Sequence, residues 1–157
     1  MDIRLNIAAP RPRTYAVRGT TIDALRSALT VHGEWGTYSG ALNINVRGDP
    51  VTRVTVTARP VITMPEWREY DSASPDMQGE WDRMIVALAR HEQGHDDILR
   101  REAAAFRDEV NALSPPPDRR ATRRMASDLL RRHATAQNGY DRRTNHGQRD
   151  GVDLHNV

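Results

Sequence analysis

The stretch ALARHEQGHDDILRREAAA, residues 87–105, decides how the rest of the chain is read. It places His91 and His95 four residues apart, with Glu92 directly after the first. On a helix, positions i and i+4 share a face about 6 Å apart, so both imidazoles point the same way. Two nitrogens so placed can each approach one Zn²⁺ at about 2.0–2.1 Å. Glu92, one step around the helix, can reach a water at the metal without being a ligand, and a carboxylate there is suited to act as general base.

Outward from the motif the helical period holds. Trp81, Ile85, Leu88, Glu92, His95, Leu99, Phe106 and Val110 recur every three or four residues. The histidines interrupt this apolar face rather than the charged one, unlike the polar residues of a solvated surface helix. Gly94 inside the motif costs about 1 kcal/mol against Ala in helix propensity, so close approach of a backbone or substrate is expected there. The helix is expected from about Asp76 to Leu113, where SPPPD breaks it. A second helix is expected from Arg119 to Gly139, with Met125, Leu129, Leu130 and His133 on one side.

Upstream, the period is mostly that of strands. RTYAVR (13–18) reads as a strand. TTIDALRSALTVHG (20–33) reads as a helix starting at Thr20, with Asp23 three later and Gly33 as its stop. ALNINV (41–46) and VTRVTVTARPVITM (51–64) read as two strands joined by the turn RGDP. GEWGTYSG (33–40) and PEWREYDSASP (65–75) read as loops. The order predicts an α+β fold: a small antiparallel sheet packed on the long motif helix and a second long helix. The 157 residues suit one domain, 1–157, with 1–12 and 148–157 as flexible tails.

Composition narrows the chemistry. The chain has no Cys, which excludes disulfides and thiolate metal sites. Every one of its 23 basic residues is Arg, set against 21 acidic residues. The Arg-rich run RRATRRMASDLLRRH (119–133) is interspersed with Asp128 and lacks stacking aromatics, so a solvated face is expected rather than nucleic-acid binding. No transmembrane segment is expected. MDIRLNIAAPRPRTY has no apolar run of signal-peptide length, which predicts a cytoplasmic chain if Met1 is the native start, and a secreted or cell-envelope one if a leader has been removed.

Two histidines leave a catalytic zinc site one protein ligand short. Positions 98 and 101 are Ile and Arg, so the motif is not extended by a third histidine on the same run. No Glu follows Glu109, and Glu102 and Glu109 lie too far along the motif helix. Asp128, His133, Asp141, His146, Asp150, Asp153 and His155 remain.

The segments YAVRGTTIDALRSAL, VTVTARPVITMPEW, ALARHEQGHDDI and YDRRTNHG together resemble a family of bacterial proteins described as predicted secreted zinc-dependent proteases, once known only as a domain of unknown function. The resemblance spans most of residues 14–147. It implies a zincin-like metallopeptidase that binds Zn²⁺ and acts on a peptide or protein substrate. His91 and His95 would be ligands, Glu92 the base and His146 the third ligand, with Tyr140 and Asp141 nearby. Tyr140 is then either a packing residue or a donor to the developing oxyanion. The rival expectation is a metal-stabilised interaction domain without turnover. Strand 51–64 is expected to offer an edge to an extended peptide.

Overall fold

A computed structural model describes residues 1–157 and shows an α+β protein. In chain order the elements are β1 (Asp2–Ile7), β2 (Arg11–Val17), α1 (Ile22–His32), β3 (Thr37–Ser39), β4 (Asn43–Arg47), β5 (Arg53–Ala58), β6 (Val61–Trp67), α2 (Pro75–Asn111) and α3 (Arg119–Thr144), with 3₁₀ turns at Tyr70–Ser72 and Gln148–Asp150. The backbone forms two compact units: residues 1–10, 40–60 and 95–139, and residues 11–39, 61–94 and 140–157.

The first unit holds a three-stranded sheet of order β1-β5-β4. β1 runs parallel to β5, with Ile3 opposite Val54 and Leu5 opposite Val56; β4 runs antiparallel, with Ile44 opposite Val56. Alternation puts Val54, Val56 and Ala58 inside and Arg53, Thr55 and Thr57 on the other face. Ile98, Leu99, Ala103, Phe106, Val110, Ala126 and Leu129 are the buried apolar residues of this unit's helical segments. Arg100 donates to the carbonyl of Ala8 at 2.7 Å and to buried Asp96 at 2.7 Å.

The second unit holds a sheet of order β2-β6-β3, in which β6 is parallel to β2 and antiparallel to β3. Its core joins Val17, Ile22, Leu25, Leu29, Trp67, Trp81, Met84, Ala87 and Leu88 with Val152 and Leu154. The Trp67 indole donates to the carbonyl of Gly19 at 2.8 Å. Thr21, not Thr20, caps α1, accepting from the Ala24 amide, and Gly33 closes it at φ 107°.

Several expectations are corrected. The expected single antiparallel sheet is two mixed ones, because β1 and β2 each return to a parallel partner by a long crossover, which only a parallel pairing requires. The run 51–64 is two strands rather than one. It divides at Arg59 and Pro60, where a residue without an N–H cannot continue a ladder, and β5 and β6 enter different sheets. Each is the central strand of its sheet, so neither presents an edge. Residues 33–40, read as loop, contain β3. Residues 1–12, read as a tail, contain β1 and the start of β2. In 148–157 Val152 and Leu154 are buried, and Arg83 holds the carbonyls of Gly151 and Asp153 at 2.9 and 2.8 Å. Finally, α3 runs through Gly139 to Thr144. The buried Thr144 and the contacts of Tyr140 on this last stretch outweigh the roughly 1 kcal/mol propensity cost of one helical Gly.

Candidate metal centre

The motif lies on α2, a helix of 37 residues, and on its interior face: His91, Glu92 and His95 are 4%, 3% and 8% exposed. Continuation of α3 past Gly139 puts Tyr140 and Asp141 on its final turns. His91 Nε2 is 3.3 Å from Asp141 Oδ1. One donor atom each from His91, His95 and Asp141 all lie within 4.8 Å of one another. Four tetrahedral donors at about 2.0–2.2 Å from a zinc ion stand roughly 3.3–3.6 Å apart, so the His91–Asp141 separation is already that of two donors on one ion. Two imidazoles and one carboxylate also match the ligand chemistry of catalytic zinc, which keeps a fourth position open.

The partner of His95 bears on which of its nitrogens could serve a metal. Its Nδ1 is 2.6 Å from Gln137 Oε1, so Nε2 is the one that could be a ligand atom. Gln137 Nε2 donates to the backbone carbonyl of His95 at 2.9 Å and lies 3.0 Å from His133 Nε2. Burial pushes the His133 pKa down, against a smaller upward pull from Glu102, and so favours the neutral ring that accepts from Gln137.

The His91 ring has two close neighbours. Tyr140 stacks against it, 4.9 Å between ring centres and 13° from parallel, and donates from its hydroxyl to the His91 carbonyl at 3.2 Å. Gly147, at φ 85°, brings its backbone so near that an added Cβ would lie 3.0 Å from His91 Cγ. Tyr140 is also the reason for the glycine inside the motif, since a Cβ on Gly94 would overlap its hydroxyl. A tyrosine side chain, rather than a backbone or substrate, makes the close approach expected at that position. In this arrangement Tyr140 packs on His91 and its hydroxyl is within hydrogen-bond distance of the helix backbone.

Glu92 is the other buried carboxyl of the site. Burial first, and the nearby carboxylates of Glu34 and Asp141 second, push its pKa up to about 8. Gly36, just before β3, passes directly over it: a Cβ there would sit 2.9 Å from Glu92 Oε1 and 2.9 Å from Leu88 Cδ1.

His146, expected as third ligand, is placed differently. It follows the end of α3 in left-handed backbone, φ 52°, and its side chain is 59% exposed. Its Nδ1 lies 3.8 Å from Asp141 Oδ1 and 3.5 Å from Glu34 Oε1. It thus stands beside the carboxylate that joins the two motif histidines, and Asp141 takes the third place in the converging set. Three other sequence candidates are engaged elsewhere: Asp128 with Arg131, and Asp153 and His155 with each other and with Arg83 and Glu80. Gln137 was missed. Its signal is the stripe His133, Gln137, Tyr140, Thr144, which keeps helical spacing straight through Gly139.

No helix is long and apolar enough to cross a membrane. No curated protein and no solved structure matches the chain. A family model does match over residues 12–147, from β2 to the Gly147 that packs on His91, and the chain belongs to that family, a bacterial family of unknown function (DUF922).

Proposed function

We propose that this protein is a zinc-dependent metallopeptidase, and the observation that carries the reading is the convergence of His91, His95 and Asp141 beside the buried carboxyl of Glu92. His91 Nε2, His95 Nε2 and an Asp141 oxygen would hold the ion. When bound, zinc supplies Lewis acidity toward a water and a peptide carbonyl. Glu92, the buried carboxyl beside this set, would take the proton of the attacking water and pass it to the departing amine. Gln137 and Tyr140 hold the two imidazoles in place.

A peptide path is available at β3. This strand is at the edge of its sheet, and Gly36 immediately before it abuts Glu92. An extended peptide adding to that edge, through main-chain hydrogen bonds, runs past the base.

The test is Glu92→Gln, which keeps shape and removes the proton acceptor. Zinc content should remain near one per chain, and cleavage of a generic peptide library should fall at least about a hundredfold. Wild-type protein that holds zinc yet cleaves nothing would favour an interaction domain stabilised by metal. Protein that takes up no zinc would remove the metal centre altogether.

A further inference from the structure

Gln137 belongs to none of the motifs, yet its carboxamide has three partners. Its Oε1 meets His95 Nδ1 at 2.6 Å, and its Nε2 meets the His95 carbonyl at 2.9 Å and His133 Nε2 at 3.0 Å. Only one orientation of the amide satisfies all three. Turned over, its oxygen would face the His95 carbonyl oxygen, acceptor against acceptor. The His95 carbonyl therefore places the amide nitrogen on its side and the oxygen on the other, and a His133 ring with its lone pair at Nε2 accepts from the same nitrogen. An oxygen 2.6 Å from Nδ1 requires the ring proton there, and a neutral imidazole protonated at Nδ1 carries its lone pair at Nε2.

We infer that Gln137 is a positioning residue for the metal centre, setting the tautomer and ring angle of His95 so that Nε2 is the ligand atom, while His133 locks the Gln137 amide against rotation. The inference rests on the reading of His91, His95 and Asp141 as metal ligands. It also assigns His133 a place in the centre one step removed from the ion, through a single side chain.

The identity of the partner has a chemical effect. A carboxamide oxygen is a neutral acceptor, so His95 remains a neutral donor to the metal. A carboxylate at the same position would draw the Nδ1 proton toward itself and make Nε2 a stronger donor. Gln137→Glu keeps an acceptor for Nδ1 while setting a second oxygen against the His95 carbonyl, and Gln137→Leu removes the acceptor, so the two differ in the His95 tautomer, which a residue that merely filled space would not move.

The experiment uses the full chain and two readouts. The first is zinc affinity by competition with a chromophoric chelator, for wild type, Gln137→Leu and Gln137→Glu. The second is the imidazole tautomer of His95 in the metal-free protein, read by long-range ¹H–¹⁵N correlation. The expected results are zinc binding about 10- to 100-fold weaker in Gln137→Leu, and an Nδ1–H tautomer in the wild type that is kept in Gln137→Glu and lost in Gln137→Leu. Wild-type zinc binding left unchanged by Gln137→Leu, or a wild-type His95 protonated at Nε2, would overturn the inference while leaving the metal centre standing. Wild-type protein that binds no zinc would overturn both. Should Gln137→Leu fail to fold, the His95 tautomers of the wild type and of Gln137→Glu decide the matter without it.

Discussion

The hydroxyl of Tyr140 occupies the space into which a side chain at position 94 would project, and the same tyrosine ring lies stacked on His91. The small residue in the middle of the motif and the aromatic residue near the end of α3 are two halves of one contact. Gly94→Ala raises intrinsic helix propensity by about 1 kcal/mol, but it forces Tyr140 off His91. The net effect expected is destabilisation by about 1–3 kcal/mol, the usual cost of overpacking. Chemical denaturation measures it, and pairing Gly94→Ala with Tyr140→Ala should recover part of the loss. A stabilised Gly94→Ala single variant would show that Tyr140 yields at no cost.

Asp141→Ala is expected to abolish tight zinc binding, because it removes the one carboxylate that converges with both motif histidines. His146→Ala is expected to leave binding within about tenfold of wild type, the lower end of what loss of an outer-shell partner costs, since its imidazole lies 3.8 Å from the Asp141 carboxylate. Chelator competition on both variants distinguishes the two residues. The reverse ranking would make His146 the ligand and Asp141 its support.

The helix carrying the motif could be read from the sequence because its period is long and unbroken, and His91, Glu92 and His95 needed only that period to be placed on one buried face. Asp141 needed more. With Gly139 taken as a stop, Asp141 falls in a loop and is no better a candidate than His146. With α3 continued to Thr144, it falls on a rigid turn beside His91. The difference is one glycine's propensity set against tertiary contacts made by residues 140–144, and no local pattern reports those contacts. The same holds for β1: Ile3, Leu5 and Ile7 alternate, but a six-residue run becomes a strand only through its pairing with β5, about fifty positions away.

Metal-free protein should lose stability as pH rises. Glu92 has its pKa raised from 4.5 to about 8, chiefly by burial. The unfolded chain gives up this proton near pH 4.5, whereas the folded chain keeps it to about pH 8, so ionisation favours the unfolded state across that window. Urea titrations of the metal-free protein between pH 5 and pH 9 should show a decline that Glu92→Gln removes. An equal slope in both proteins would place the effect elsewhere.

The acid limb carries the opposite sign at Glu80. Its bonds to Arg83 come first, and the backbone amide of His155 adds to them, holding its pKa down to about 2 from 4.5 against the contrary effect of burial. A depressed carboxylate contributes stability that is fully present above about pH 4.5 and is lost as pH falls through about 2. Glu80→Gln should therefore flatten the decline between pH 4.5 and 2, and should free residues 151–155 for faster amide exchange. Unchanged exchange there would mean that the C-terminal segment is held by its buried Val152 and Leu154 alone.

The clamp on His91 has a kinetic meaning. With the Tyr140 ring stacked on it and Gly147 packed close to its Cγ, the imidazole has little room to turn. The ordering entropy of that side chain is thus largely spent during folding. An ion bound by His91 would meet a donor already placed rather than a mobile one, and a centre built on such a ring would tolerate little adjustment of bond length or angle.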